Sequence, residues 1–229
     1  IDIADPSDGE ILIEQTAIGL NYMDVYQRSG YYKMQTPMHL GLEAAGTVIK
    51  LGSGVTHLNV GDRVCYGPNL GAYAKHRLLP AARAVKIPET VSDQLAAAIL
   101  MKGMTVEYLL CRTYRVQAGE TVLFYAASGG VGHLAGQWGK HIGATMIGVT
   151  SGPENCASIL KFGYEYAVDR KSDNRAQRVH EITDGRGVPV LYDSVVRESV
   201  EASHSSRSPR GVFISFGATT GGAPAVTPA

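Results

Sequence analysis

The sequence predicts an α/β protein in which a doubly wound parallel sheet is preceded by a mostly antiparallel β domain. Two observations support this fold class. Before residue 90, short β-like runs alternate with turns that contain Gly and Pro, a pattern typical of antiparallel sheets. After residue 91, apolar runs of strand length alternate with stretches of helical periodicity, which indicates a parallel sheet with helical crossovers. We therefore predict two domains, residues 1–90 and 91–229.

The first predicted domain consists of short strands and tight turns. Strands are expected at residues 10–15, 44–50 and 72–80, with turns at 52–54 and 60–64. The helical period begins after Ser92, whose hydroxyl can cap a helix, and Gly103 is expected to interrupt that helix. Because the domain begins abruptly at Ile1, we expect that its N-terminal part is missing.

The second predicted domain contains five strands. These are expected at residues 121–126, 145–149, 166–168, 188–193 and 212–216, with helices between them. Because a doubly wound nucleotide-binding sheet usually has six strands, we expect that the C-terminal part of this domain is missing. The segment 198–208 stands where a helix should cover the sheet, yet it contains almost no large apolar side chain.

Composition excludes several classes of function. The chain has 21 Lys and Arg against 21 Asp and Glu, so no basic surplus is available for nucleic acid. We find no apolar run long enough to cross a bilayer and predict no membrane partner. The three cysteines, Cys65, Cys111 and Cys156, lack the short spacing of a zinc site or of a disulfide framework. A reducing cytoplasm is therefore the predicted location.

A glycine-rich stretch at residues 126–132, Ala-Ala-Ser-Gly-Gly-Val-Gly, follows a predicted buried strand and precedes an amphipathic helix. A turn that brings backbone close to a pyrophosphate needs small residues, both for the approach and for packing of helix on strand. The small residues are Ala126, Gly129, Gly130 and Gly132. The N–H groups of the following helix would meet the anion. Although the pattern departs from G-x-G-x-x-G, its context predicts a dinucleotide-binding turn.

A nucleophile elbow is the competing interpretation of the same stretch. Residues 126–130 nearly match G-x-S-x-G around Ser128, and Asp193 and His204 follow in the order found in α/β hydrolases. However, His204 lies in a polar segment without a recognisable motif, and an elbow does not require Gly132. We therefore favour the dinucleotide.

The end of the second parallel strand distinguishes NAD from NADP. NAD enzymes usually place an acid there to bind the ribose 2′-OH, whereas this strand ends in Thr150 and Ser151. The nearest acid, Glu154, already lies on the next predicted helix. Arg170 or Lys171, after the third strand, could neutralise a 2′-phosphate, although each could equally be a solvated loop residue. The sequence therefore predicts NADPH.

Several blocks in a fixed order resemble the zinc-independent quinone oxidoreductases, the ζ-crystallin-like branch of the medium-chain dehydrogenase/reductase superfamily. The blocks lie at residues 17–32, 41–55, 60–64, 71–76, 102–110, 126–132, 191–195 and 214–217. The resemblance implies a GroES-like β domain followed by a Rossmann NADP-binding domain, with the active site in the cleft between them. It also implies a homodimer, although the strand that forms the family's dimer edge is absent from this sequence.

The resemblance also indicates a protein without zinc. Zinc-containing members of the superfamily have a Cys and a His where this chain has Asn21 and Leu42, neither of which is a useful zinc ligand. Without a metal, reduction of a quinone relies on positioning and on a hydrogen bond to the developing oxyanion.

By resemblance, the catalytic residues are Asn21, Asp24, Tyr26 and Tyr32. A phenol of Tyr26 or Tyr32 could donate to the reduced oxygen, and an aromatic ring could stack on a flat quinone. Asp24 could orient its neighbours. The alternative is that both tyrosines are only packing residues.

The residues that resemble the family's cofactor site are spread along the chain. They are Tyr22, Met23, Thr105, Tyr108, Gly129, Gly130, Val131, Ser151, Gly152, Asn155, Arg170, Val195, Phe216, Gly217, Ala218 and Thr219. Three positions depart from the family. Asn155 stands where the family commonly has a Lys, and Arg170 where it commonly has a Tyr. Val196 stands where the family usually has a Gly after the block at residues 191–195. Loss of the Lys should weaken the 2′-phosphate site, and a bidentate contact from Arg170 could compensate.

The implied function is transfer of hydride or electrons from NADPH to small quinones. Two alternatives stay open. One is an NADPH-dependent reductase of alkenals or enones, which shares the metal-free hydride chemistry. The other is a cofactor-binding, crystallin-like protein that is not an enzyme and that could bind RNA, against which the neutral net charge speaks.

Overall fold

The computed structural model describes residues 3–224, and the chain divides into two compact units, Ile1–Lys102 and Gly103–Ala229. This division lies beyond the boundary at 90/91 that the sequence predicts. The reason is that the first half of a helix over Asp93–Glu107 packs Ala96 and Ala97 into one apolar cluster with Ala45.

Unit 1 contains an antiparallel sheet, as predicted. Its elements are β1 (Glu10–Gly19), α1 (Tyr22–Arg28), β2 (Glu43–Leu51), β3 (Arg63–Tyr66), β4 (His76–Pro80), a 3-10 turn (Ala81–Arg83), β5 (Val85–Lys86) and the start of α2 (Asp93–Glu107). The strand order is β4-β1-β2-β3-β5, and every pair is antiparallel. Apolar side chains of β1 and its neighbours form the core, among them the fully buried Ile11, Ile13, Val48, Val64 and Leu79.

Helix α2 begins as the sequence predicts, because the Ser92 hydroxyl accepts a hydrogen bond from the Leu95 N–H at 3.2 Å. The prediction that Gly103 interrupts it is wrong: α2 continues to Glu107, and π-helical turns follow over Tyr108–Thr113. One glycine inside a helix costs only about 1 kcal/mol, which the packing of a long helix can offset.

The same stretch, Asp93–Thr113, is 21 residues long and apolar enough to cross a membrane by length and composition alone. The sequence prediction of no such run overlooked it. Core helices of ordinary globular proteins meet the same criterion, so length and composition alone do not indicate a membrane span here. Two charges on the stretch are paired inside unit 1, Asp93 with Arg63 and Lys102 with Glu43, each at 2.6 Å. These pairs are typical of a helix packed into a protein.

Unit 2 is built around a parallel sheet, which confirms the predicted fold class. Its elements are β6 (Thr121–Tyr125), α3 (Gly130–Ile142), β7 (Thr145–Thr150), α4 (Pro153–Leu160), β8 (Tyr166–Asp169), α5 (Arg175–Ile182), β9 (Val188–Asp193), α6 (Val200–Ser205) and β10 (Arg207–Ser215). The order is β10-β9-β6-β7-β8, with every pair parallel. Strands β6, β7 and β9 are buried on both faces, as their apolar runs predict.

The polar helix α6 is explained by a buried carboxylate beneath it. Ser199 and Ser203 donate their hydroxyls to Oδ2 of Asp193 at 2.6 and 2.9 Å, and all three residues are buried. The other oxygen, Oδ1, accepts from the N–H groups of Val195 and Val196. Helix α6 therefore covers the sheet through hydrogen bonds to Asp193, where an apolar face would otherwise be needed.

Candidate active site and cofactor site

The glycine turn joins β6 to α3 in unit 2. Ala126 has a φ of +53°, and its carbonyl accepts from the Gly129 N–H at 2.9 Å, so the chain reverses within a few residues. A methyl group on Gly132 would lie 2.5 Å from the carbonyl oxygens of both Ala126 and Ala127. Helix α3 therefore packs so closely on the end of β6 that only glycine fits. Its first N–H groups emerge at this turn, as an anion site requires.

The alternative of a nucleophile elbow fails in the structure. The Ser128 hydroxyl is bonded to Thr150 Oγ1 at 2.6 Å. His204 Nδ1 is bonded to the Arg207 guanidinium, and Asp193 is occupied by the serines of α6. Since each member has a different partner, no Ser-His-Asp relay is assembled among the described residues.

The residues predicted to hold the adenosine phosphate lie together at the ends of β7 and β8. The Asn155 amide donates to the Ser151 carbonyl at 2.9 Å, and the Arg170 N–H donates to the Thr150 carbonyl at 2.8 Å. The guanidinium of Arg170 pairs with Glu198 at 3.2 Å, a partner that the sequence did not indicate. Arg170 is therefore beside the predicted site, but part of its charge is already balanced.

An acid also lies at this end of the sheet, on the third strand rather than the second. Asp169 Oδ1 accepts from the N–H groups of Gly152 and Lys171 at 2.9 and 3.0 Å. These backbone hydrogen bonds hold the pKa of Asp169 below its usual value, and the bond from Gly152 has the largest effect. Asp169 thus fixes the loop that follows β7, and Gly152 begins α4 at a φ of +86°.

The residues predicted near the nicotinamide meet at the ends of β9 and β10. The Phe216 N–H donates to the Asp193 carbonyl at 3.0 Å, and the Thr219 N–H donates to the Ser194 carbonyl at 2.9 Å. Gly217 is needed because a methyl group there would lie 2.9 Å from Ser194 Cβ. Val195, Phe216, Gly217, Ala218 and Thr219 therefore form one continuous edge of unit 2.

Val196, one of the departures from the family, adopts a φ of +71° while fully buried. A β-branched residue in this left-handed region is strained by about 1–2 kcal/mol, which explains why the family prefers glycine at the same position. The two N–H groups that Asp193 Oδ1 binds hold this turn in place.

Unit 1 carries a cluster of four tyrosines on and after α1. The ring centroids of Tyr22, Tyr31 and Tyr32 lie 5.0, 5.0 and 5.5 Å from that of Tyr26. Tyr26 is buried, whereas the other three rings are about half exposed. Tyr22 and Tyr32 contact Tyr26 edge to face and Tyr31 contacts it at a tilt of 34°, and such contacts fix the rings while leaving aromatic faces open. The sequence singled out three of them, and Tyr31 completes the cluster.

Asn21 lies at the start of α1, next to a buried ion pair. Its Nδ2 donates to Oε1 of Glu43 at 2.9 Å, and its Oδ1 accepts from Lys102 Nζ at 3.2 Å. The ammonium of Lys102 also donates to Glu43 Oε1 at 2.6 Å. Sequence reasoning matched Lys102 to the family block but did not identify Glu43. No spacing could have paired two residues that lie on a strand and on a distant helix.

Asp24 orients the same helix start. Its Oδ2 accepts from the Asn21 N–H at 2.9 Å and from the Tyr73 hydroxyl at 2.8 Å, while the residue is almost fully buried. Burial and the Asp24 carboxylate raise the pKa of Tyr73 to about 12. Asp24 therefore binds both the start of α1 and Tyr73, a partner that the sequence did not reveal.

The predicted site residues thus fall into two sets. All four predicted catalytic residues, with Tyr22 and Met23, lie in unit 1, on α1 or beside it. Thr105 and Tyr108 lie in unit 2, as do the remaining predicted cofactor residues.

Comparison with known proteins identifies the family. The alcohol dehydrogenase GroES-like domain family matches residues 7–89, and the zinc-binding dehydrogenase family matches residues 130–229. A quinone oxidoreductase of Pseudomonas aeruginosa is 44% identical over 221 residues, which cover 95% of this chain and 68% of that protein. The chain belongs to the quinone oxidoreductase family. This family lies within the medium-chain dehydrogenase/reductase superfamily, as the resemblance implied.

Two further relatives define the neighbourhood of this chain within the family. A crystal structure of Escherichia coli quinone oxidoreductase complexed with NADPH superposes with a TM-score of 0.96 at 42% identity, covering 99% of this chain and 70% of that one. A 2-haloacrylate reductase of a Burkholderia species is 38% identical over 228 residues, covering 96% of this chain and 68% of that protein.

Zinc is named in the description of the second family, so the ligand chemistry of this chain decides whether zinc fits. Within residues 3–224, no group of three or more His, Cys, Asp and Glu side chains is placed to hold a metal ion. Next to Asn21, where related dehydrogenases have zinc, this chain places the ammonium of Lys102, which already contacts Glu43 Oε1. An amide, an ammonium and one engaged carboxylate do not form a zinc site.

Proposed function

We propose that this chain transfers hydride from NADPH to small quinones without a metal. The observation that carries the proposal is the turn at residues 126–132, where Gly132 has no room for a side chain and α3 begins, in a chain that belongs to the quinone oxidoreductase family. NADPH supplies the hydride when bound, and a proton completes reduction of the quinone to the hydroquinone.

Three groups of unit 2 would hold NADPH. The N–H groups at the start of α3, with Gly129, Gly130 and Val131, would bind the pyrophosphate. Ser151, Gly152, Asn155 and Arg170 would surround the adenosine phosphate. The edge formed by Val195 and Phe216–Thr219, with Thr105 and Tyr108 of the same unit, would hold the nicotinamide. The NADPH-bound relative from E. coli supports this assignment through its close superposition on the chain.

Glu198→Gln is expected to tighten NADPH binding about threefold and to leave NADH binding unchanged. The reason is that Arg170 now shares its charge with Glu198, and removal of the carboxylate frees the guanidinium for the 2′-phosphate. The pair is exposed, so the effect is modest. Fluorescence titration of each nucleotide measures the ratio. Equal tightening of NADH and NADPH would show that Arg170 does not contact the phosphate.

The tyrosine cluster would receive the quinone. The open faces of Tyr31 and Tyr32 suit stacking on a flat ring, and a phenol of Tyr26 or Tyr32 would donate a hydrogen bond to the oxygen that gains charge. Asn21 would donate a second such bond, and the Asp24 carboxylate holds the backbone N–H of Asn21 at the start of α1.

Combining Tyr26→Phe with Tyr32→Phe is expected to lower kcat for a quinone about 10- to 100-fold, with little change in NADPH affinity. The substitution removes the two phenol donors and keeps the rings. Tyr31→Phe serves as the matched control, since its ring is in the same cluster but its hydroxyl is not a predicted donor. Stopped-flow oxidation of NADPH measures the step. Unchanged turnover in the double variant would assign both tyrosines to packing alone.

Reduction of an activated alkene is the second candidate function, favoured by the 38% identity to a 2-haloacrylate reductase. Both reactions begin with hydride transfer and place negative charge on an oxygen. Steady-state rates with a small quinone and with 2-chloroacrylate separate them. We expect a kcat/KM at least tenfold higher for the quinone, and the reverse order would assign the chain to the alkene reductases. One-electron and two-electron reduction are distinguished by electron paramagnetic resonance during turnover, because only the one-electron route releases a semiquinone radical before it disproportionates to quinone and hydroquinone.

The cellular location, the oligomeric state and the partners of the protein are also part of the proposal. We propose a cytoplasmic homodimer that works without metal or membrane, and for which nucleic acid is not a ligand because the net charge is zero. Light scattering tests the dimer. Retention of RNA at low salt would favour the crystallin-like, non-enzymatic alternative.

A further inference from the structure

Glu43 and Lys102 form an ion pair that is costly to build. Glu43 is completely buried, the side chain of Lys102 is 17% exposed, and they meet at 2.6 Å in unit 1. Oε2 of Glu43 accepts from the Met101 N–H at 2.9 Å, so both carboxylate oxygens have donors. Taking two such charges out of water costs several kcal/mol each, and a pair of apolar residues would usually serve stability as well.

The surrounding backbone is shaped to admit this carboxylate. A methyl group on Gly19 would overlap the Glu43 side chain, and one on Gly67 would lie 3.3 Å from Glu43 Cβ. The last residue of β1 and the first residue after β3 thus lack side chains beside Glu43. The free-energy cost of burying the Glu43 carboxylate is best explained by its effect on Asn21, its third hydrogen-bond partner after Lys102 and the Met101 N–H.

The network leaves the Asn21 amide only one orientation. Its Oδ1 faces the ammonium of Lys102 and its Nδ2 faces Glu43, so rotating the amide would set like against like. An amide carries two N–H protons on Nδ2, and only one of them is needed for Glu43. The ammonium on Oδ1 also withdraws electron density, which makes the second N–H a stronger donor.

We propose that Lys102 and Glu43 are positioning residues that fix and polarise the Asn21 amide, so that its second N–H donates to the quinone oxygen that gains negative charge. This inference rests on the proposed function. The ion pair touches neither quinone nor nucleotide in this scheme and acts only through Asn21. The cation of Lys102 therefore does indirectly what a bound metal does directly for related dehydrogenases, by stabilising charge on oxygen.

The test is a mutant cycle on the full chain. Lys102→Met combined with Glu43→Gln removes the charges together, because Lys102→Met alone would leave a buried, unpaired carboxylate and could unfold the protein. We expect kcat for the quinone to fall about 10- to 100-fold while the Kd of NADPH changes less than twofold. The deuterium isotope effect with 4-deuterated NADPH should rise, because hydride transfer becomes more rate-limiting.

The cycle is completed by Asn21→Ala. If the pair acts through Asn21, adding Lys102→Met and Glu43→Gln to Asn21→Ala should lower kcat less than twofold further. The pair of the exposed Lys86 and the partly buried Asp62, which meets at 2.7 Å on the same unit, provides a control. Lys86→Met with Asp62→Asn should leave kcat unchanged.

Two results would overturn the inference. One is an unchanged kcat after removal of the pair, and the other is an equal fall in kcat with and without Asn21. If the paired variant does not fold by circular dichroism, the isosteric Glu43→Gln alone replaces it, because the Gln amide oxygen can still accept from Lys102 and the Lys102 side chain, 17% exposed, reaches water. We expect kcat to fall about tenfold in this variant. Wild-type protein that binds NADPH but reduces no quinone would instead count against the proposed function, which separates the two failures.

Discussion

Gly132→Ala is expected to destabilise the protein by about 3 kcal/mol or more and to abolish NADPH binding. The added methyl group would lie 2.5 Å from two backbone oxygens and 2.6 Å from Ala127 Cα, so strand and helix must move apart. No flexible side chain is available to give way. Denaturant unfolding measures the free energy, and nucleotide fluorescence measures binding.

Gly129→Ala is the matched control within the same turn. Gly129 has a φ of −78°, which alanine adopts freely, and the nearest atom to its added methyl group would be Ala126 O at 3.1 Å. We expect a change in the free energy of unfolding below about 1 kcal/mol, but at least a tenfold loss of NADPH affinity, because the methyl group occupies the approach of the pyrophosphate. If Gly129→Ala bound NADPH as tightly as wild type, the turn would not be the phosphate site.

Asp193→Ala is expected to destabilise the protein by about 3–5 kcal/mol. The substitution removes the acceptor of four donors, the hydroxyls of Ser199 and Ser203 and the N–H groups of Val195 and Val196, although the Ser199 hydroxyl keeps the Val196 carbonyl at 3.3 Å. Since Val196 already has a strained positive φ, we expect the turn to open and the predicted nicotinamide edge to move with it. Thermal and denaturant unfolding measure the loss.

Ser203→Ala is the control for the Asp193 prediction. It removes one donor and leaves Asp193 with three, so the expected cost is about 1 kcal/mol. A loss of similar size in both variants would mean that the carboxylate contributes no more than one of its hydrogen bonds, and helix α6 would then need another explanation.

The fold was predictable from the sequence because the local patterns of strands, turns and helices agree with the architecture of each unit. Buried strands such as β6 and β9 read as continuous apolar runs, and the short strands of unit 1 were bounded by glycine. The turn at 126–132 was predictable for the same reason, since its small residues stand between a strand and a helix. Gly103 was misinterpreted because one glycine costs a helix only about 1 kcal/mol, which the rest of a long helix can offset.

The parts that the sequence did not predict depend on contacts between residues far apart in the chain. Glu43 and Lys102 are joined only in the folded unit, and so are Arg170 and Glu198. Helix α6 has almost no large apolar side chain and is held on the sheet by hydrogen bonds from serines to Asp193. A search for apolar periodicity does not detect such hydrogen bonds. Polar networks of this kind carry little sequence pattern, and they make up much of the candidate site.

The central claim, that the chain binds NADPH through the turn at 126–132, is tested most directly by titrating wild-type protein and Gly129→Ala with NADPH and NADH while following nucleotide fluorescence. We predict that wild type binds NADPH at least tenfold more tightly than NADH, and that the variant loses affinity for both while its free energy of unfolding changes by less than about 1 kcal/mol. Tighter binding of NADH would contradict the choice of cofactor. Binding of neither nucleotide by folded wild-type protein would contradict the enzymatic account altogether.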